Sequence, residues 1–107
     1  MPILIFNQGA PDEKSYFVPD MVVTVGRSED QPVCIPHKSL SRCHARIEPR
    51  NGRFFVVDLQ SKNGTFVGEV RITAPTLLSD GDAVRLGLVN LVFRGPPGGL
   101  TTTKTVR

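Results

Sequence analysis

Apolar residues in this 107-residue chain fall in short runs, many of them alternating with polar positions, and nowhere recur at the three-and-four spacing of an amphipathic helix. Period-two alternation puts every second side chain on one face of an extended strand. It predicts strands over Ile3 to Phe6, Ser15 to Val18, Val22 to Val25, Val33 to Ile35, Ala45 to Glu48, Phe54 to Asp58, Thr65 to Val67, Val70 to Ile72, Ala83 to Leu86 and Leu88 to Phe93. Glycines and prolines, 10 and 9 of them, punctuate these runs, and Asn51-Gly52, Asn63-Gly64, Asp80-Gly81 and Gly87 mark reversals. The expected fold class is all-β, a β-sandwich of about ten to eleven short, mainly antiparallel strands with binding loops gathered at one end.

After Phe93 the alternation stops. The residues that follow, rich in Gly, Pro and Thr, offer no apolar pattern to bury, so the chain is expected to divide into a domain at 1–94 and a flexible tail or linker at 95–107. Thr101 to Thr103 read most simply as part of an unmodified tail; phosphorylated, they would let the tail occupy and mask a phosphate site, its own or a second copy's. One domain of this size buries about two thirds of the surface its unfolded chain exposes, enough to stand without staples. Cys34 and Cys43 are too few for a disulfide framework and no charged-then-apolar leader opens the chain, which makes a reducing, cytoplasmic setting the expectation. No apolar run approaches the roughly 20 residues of a membrane-spanning helix, and no membrane link is expected.

Charge narrows the ligand classes. Thirteen Lys and Arg against ten Asp and Glu give a net charge of +3, too mild to mark a polybasic field. The aromatic residues sit inside the strand-like runs rather than beside a basic stripe, so no nucleic acid partner is expected. A modest positive balance does favour encounter with a small anionic ligand.

The chemistry concentrates in Gly26-Arg27, Ser41-Arg42-Cys43-His44 and Ser61-Lys62-Asn63-Gly64-Thr65-Phe66, all at strand ends or in loops. Arg27 offers a planar fork of donors, Ser41 a hydroxyl and Asn63 an amide, with Arg42 and Lys62 adding charge: a set suited to gripping one phosphate group without a nucleophile, base, metal or cofactor. Taken singly, each has a plainer explanation. Arg27 and Arg42 read equally as solvated cations, Ser41 as a turn-making serine, and Asn63-Gly64 as a type I′ hairpin turn. Cys34, His37, Cys43 and His44 invite a zinc site, but Cys43 and His44 are adjacent on the way into a strand and point to opposite faces, so no metal is expected. Asp58, Asp80 and Asp82 read as strand-end and turn formers, and no catalytic arrangement accompanies them.

In this order and on these strand-loop boundaries, the motifs resemble the forkhead-associated (FHA) domain, a phosphothreonine-peptide reader, from the first strand to Phe93. The resemblance implies that Arg27 and Ser41 hold the phosphate, that Arg42 lends a further donor, and that Asn63 bonds the backbone of the bound peptide. It makes His44 a brace of the binding loops and Gly26 and Gly64 structural, Gly26 turning the chain tightly so that Arg27 faces the loops. Ser39 lies where family members read the peptide residue three after the phosphothreonine, and a short uncharged serine there sets no strong preference. Lys62 departs from the small hydroxyl residue common before the asparagine, keeping attraction for phosphate and losing directionality. The implied function is phosphothreonine-dependent protein–protein docking in serine/threonine kinase signalling, non-catalytic, its partner a phosphothreonine-containing protein or peptide such as a kinase or its substrate. The alternative is an FHA-fold scaffold module that binds an unphosphorylated protein surface.

Overall fold

A computed structural model describes residues 2–95, and among them every regular element is a strand. These are β1 (Ile3–Phe6), β2 (Lys14–Phe17), β3 (Val23–Gly26), β4 (Val33–Cys34), β5 (Ala45–Arg50), β6 (Arg53–Asp58), β7 (Thr65–Val67), β8 (Val70–Arg71), β9 (Thr76–Leu78), β10 (Ala83–Leu86) and β11 (Val89–Arg94). They form a six-stranded sheet in the order β2-β1-β11-β10-β7-β8 and a five-stranded sheet in the order β4-β3-β5-β6-β9. All pairs are antiparallel except β3 with β4. Among the described residues, no helix is long and apolar enough to cross a membrane. The expected tail lies outside the described residues except for Gly95, and so do Thr101 to Thr103.

The alternation read from the sequence is the burial pattern. Val23 and Val25, Ala45 and Ile47, Phe54 and Val56 turn one face of the second sheet inward, and Val84, Leu86, Val89, Leu91 and Phe93 do the same from the first. Phe54 and Phe93 meet across the sandwich with ring centroids 6.0 Å apart at 49°, a tilted contact of the kind aromatic quadrupoles favour. β9 went unread because it is three residues long, follows Pro75, and buries only Leu78 fully, too little for a period to show.

Register then sets one end of the sandwich as the loop end. Val25 pairs with Ala45 and Ala45 with Asp58, while Leu86 pairs with both Thr65 and Val89. The loops after β3, before β5, between β6 and β7, and between β10 and β11 therefore leave from the same edge of their sheets. The hairpin turn at Asn51-Gly52 belongs to the other end, with φ of 53° and 78° that fit a type I′ turn.

Gly26 is required for a different reason from the one expected. Its φ is not left-handed; instead, a Cβ there would lie 2.0 Å from the carbonyl oxygen of Arg42, inside any tolerable contact. The missing side chain lets two loops cross, and Ser28 donates its N–H to that same carbonyl at 3.3 Å. Gly26→Ala should therefore lower stability by about 2 kcal/mol or more, through overpacking that only backbone movement relieves. Chemical denaturation will show this as a shift in midpoint at constant slope; an unchanged midpoint would mean that the Arg42 loop yields freely.

Candidate functional site

At the loop end, three segments are tied by hydrogen bonds that the local sequence makes obligatory. His44 is fully buried at the start of β5, and both of its ring nitrogens are committed. The Ser41 backbone N–H donates to its Nδ1 at 3.0 Å, which leaves Nε2 as the protonated nitrogen, donating to the Gly64 carbonyl at 2.9 Å. The ring is thus held neutral in one tautomer and joins the β4–β5 loop to the β6–β7 loop. With no lone pair free, it is not available to a metal, in keeping with the bracing role and against the zinc arrangement considered from sequence.

Beneath Gly64 the chain is fixed by Asp58. Its carboxylate accepts from the Ser61 backbone N–H at 3.2 Å, from the Ser61 hydroxyl, and from the buried Thr65 hydroxyl at 2.6 Å. Partial burial alone would raise the carboxyl's pKa, but these donors hold it below its ordinary value. Gly64 donates its N–H to Ser61 Oγ at 3.1 Å and has φ of 89°, with the Arg71 guanidinium and the Phe66 ring packed where a Cβ would go. Asn63 has no positive φ, so Asn63-Gly64 is not the type I′ turn that the dipeptide suggested.

Above this frame lies a depression of about 360 Å³ lined by Arg27, Lys38, Ser39, Leu40, Ser41, Arg42, Lys62 and Asn63. All five residues expected to bind a phosphopeptide are brought together here. The Arg27 Nε–H donates to the Leu40 carbonyl at 3.1 Å, which aims the guanidinium while leaving its terminal N–H groups free. Ser41 Oγ accepts from the Lys62 backbone N–H at 3.0 Å, so its own proton is left to donate. Asn63 Nδ2 donates to the Ser39 carbonyl at 2.7 Å, and this fixes the amide with its oxygen open to accept from a ligand N–H. Arg42 and Lys62 are exposed.

Ser39 is the residue whose expected role the geometry revises. It is 7% exposed, and its hydroxyl accepts from the Leu88 N–H at 3.0 Å while sitting 2.9 Å from His37 Nδ1. A side chain spent in this way anchors the loop to the β10–β11 turn and has little left with which to read a ligand. Lys38, beside it and exposed, lines the depression and was not singled out from sequence. The available signal was its position three residues before Ser41 in a stretch, Gln31 to Ile47, that contains no Asp or Glu. A larger and more apolar hollow of about 440 Å³, lined by Val67, Val70, Ile72 and neighbours, shares no residue with this site.

The FHA domain family model matches residues 23–87. Among curated proteins, the chain is 42% identical over 76 residues to an ABC transporter ATP-binding/permease protein of Mycobacterium tuberculosis, covering 71% of this chain and 9% of the transporter. It is 35% identical over 99 residues to the glycogen accumulation regulator GarA of the same organism, covering 91% of this chain and 60% of GarA. The chain therefore spans 9% and 60% of the length of these relatives, less than two thirds of either. Among solved structures, one from a study of phosphothreonine-dependent FHA domain interactions superposes with a TM-score of 0.78 at 27% identity, covering 90% of this chain and 97% of that one. The FhaA FHA domain, in complex with a partner's intracellular domain, gives 0.78 at 28% identity over 88% of this chain and all of its own.

The His44 arrangement makes stability depend on pH. Burial lowers the pKa of the imidazole, against the smaller opposing pull of the Gly64 carbonyl and Asp58. Between that lowered value and the unfolded value of about 6.5, the unfolded chain binds a proton that the folded chain refuses, so acidification favours unfolding. His44 should thus contribute its full stabilisation above about pH 6.5 and lose it progressively below. Melting temperatures from pH 7.5 to 5.5, with an NMR titration of the ring, check this; a ring that titrates at the ordinary value would contradict the bonding described. His44→Ala should cost about 2–4 kcal/mol through a cavity and two lost hydrogen bonds.

Proposed function

This chain belongs to the FHA domain family, and from that premise we propose that it docks onto proteins carrying a phosphothreonine written by a serine/threonine kinase, performing no chemistry of its own. The supporting observation is the convergence of Arg27, Ser41, Arg42, Lys62 and Asn63 on one depression whose hydrogen-bonding groups are already oriented and still open. The terminal guanidinium nitrogens of Arg27 and the hydroxyl of Ser41 hold the phosphate, Arg42 and Lys62 strengthen it electrostatically, and the Asn63 carbonyl oxygen receives a backbone N–H of the peptide. Such groups act on a dianion, where charge-assisted bonds are about twice as strong as neutral ones. After the cost of ordering a flexible peptide, the net affinity is on the order of −8 kcal/mol, or micromolar.

The family's members are binding modules, and the relatives set the context: one is a regulator of glycogen accumulation and another is part of a transporter. We place this chain likewise in kinase-dependent signalling in the cytoplasm, with residues 1–94 as the reading unit. The bound loops require no rearrangement, because the ties through His44 and Asn63 are made before the ligand arrives.

Arg27→Ala should weaken phosphopeptide binding by about 10- to 100-fold, the worth of one or two charge-assisted bonds, and lower stability by only about 1 kcal/mol for the lost bond to Leu40. Arg27→Lys should recover part of the affinity, since an ammonium has no fork. Titration of matched phosphorylated and unphosphorylated peptides is the measurement. Equal affinity for the two would overturn this reading in favour of a scaffold that binds an unmodified surface.

A further inference from the structure

The six-stranded sheet has an outer face that the phosphate site does not use. Its strands contain Lys14, Arg71, Arg85 and Arg94 and not one Asp or Glu. The five-stranded sheet is built differently: on its outer face Arg46 and Arg50 pair with Glu48, and Arg50 also covers the Phe55 ring. Charge there is balanced from within. Among the described residues Arg71 and Arg85 enter no ion pair, and Arg94 reaches only Asp80 of the β9–β10 turn, at 3.7 Å.

Alternation fixes which side chains of the six-stranded sheet face outward. Leu4 and Leu91 point into the core, so their neighbours Ile3, Ile5 and Val92 point away from it. Ile5 shows this most clearly: it is 8% exposed yet is not a member of the core cluster, and it pairs with Ser15 on one side and Val92 on the other. Phe17, half exposed, lies opposite Ile3, and Ala83 lies opposite Val92, so an apolar stripe crosses from β2 to β10. The stripe ends in arginines. The Arg85 guanidinium stacks 3.9 Å over the Phe66 ring and donates from Nη1 to the Gly87 carbonyl at 2.6 Å, and Phe66 pairs in turn with the exposed Arg71. Arg85 is thereby held in place before any partner arrives.

A sheet that is apolar on both faces needs a layer on each, and the sandwich supplies only the inner one. From β2 to β7 there are four strand spacings, together about 19 Å, which is the length of a helix of about 13 residues. A second copy would bring the same arginines, and residues 96–107 bring Lys104 and Arg107 with no Asp or Glu, so neither has the complementary charge. A bilayer takes up side chains that protrude, whereas Ile5 is nearly enclosed and Val92 is half-buried. We infer that this face docks an amphipathic helix of a partner protein, with the helix's apolar stripe on Phe17, Ile3 and Val92 and its acidic side chains at Arg85 and Arg71. The contact needs no phosphate and stands apart from the phosphothreonine reading.

The test uses two synthetic helices of about 13 residues, each with leucines along one face, flanked by Glu in one and by Lys in the other. Each is titrated into the isotope-labelled full chain and followed by NMR. The Glu helix should shift the amides of Ile5, Arg85 and Val92 and bind about fivefold more tightly than the Lys helix, a gain that shrinks as salt rises. Phe17→Ser and Arg71→Gln, both at exposed positions, should each weaken it by about fivefold, with melting curves showing that both variants fold. Equal affinity for the two helices, variants that bind within about twofold of the parent, or no binding of the Glu helix at about 1 mM would overturn the inference. So would shifts gathered at Arg27, Ser41 and Asn63, which would mean that the acid is drawn to the phosphate depression instead. Flotation of the chain with phosphatidylglycerol vesicles, where neither helix binds, would replace the partner protein by a membrane. Each of these outcomes leaves phosphothreonine docking intact.

Discussion

A single neutral imidazole holds together the two loops on which the site is built. His44 accepts a hydrogen bond from the backbone of one loop and donates one to the backbone of the other, and because the ring is buried, neither bond competes with water. Everything outward of it inherits that position. The Ser41 hydroxyl faces Lys62 because Ser41 N–H is fixed on the ring, and the Gly64 carbonyl is where the ring requires it because Asp58, Ser61 and Thr65 hold the turn from below. The histidine does not line the depression, yet the groups that do have their geometry through it.

The result is a binding surface whose ordering cost is met during folding. Loops are usually the most mobile part of a sandwich, and a reader built on mobile loops would lose affinity to their immobilisation. Here Arg27, Ser39, Ser41 and Asn63 each spend one polar group on the neighbouring loop and keep another, or none in the case of Ser39, for the outside. Cations are treated differently. Arg27, Lys38, Arg42 and Lys62, which line the depression, have no ion-pair partner among the described residues, and that unneutralised charge both attracts an anion and destabilises the empty site.

How much of this was legible depended on whether a residue acts through its type or through its neighbours. Val23, Val25, Ile47, Val84 and Leu86 declared their strands because alternation is a local property, whereas β9 gave too few residues for any period to form. Arg27, Ser41 and Asn63 were readable as polar groups with phosphate chemistry, and the structure brings them to one depression. Gly26 was recognised as structural, but the cause, a carbonyl from a loop sixteen residues away, is a contact that no local pattern encodes. The burial of Ser39 was hidden for the same reason: its hydroxyl is bonded to the Leu88 turn, which is distant in sequence. Asn63-Gly64 misled in conformation because the dipeptide's preference for a type I′ turn yields to the pull of Ser39 and Ser61 on its two residues.

The pairing of β1 with β11 has a mechanical consequence. Ile3 lies opposite Arg94 and Phe6 opposite Leu91, so the described chain enters and leaves side by side, at the end of the sandwich away from Gly87 and the loops. Tension applied through residues 2 and 95 would load this ladder one rung at a time, as a zipper rather than in shear. The β1–β11 pair, interior to its sheet, would open first, and the loops tied by His44 would be among the last parts to feel the force.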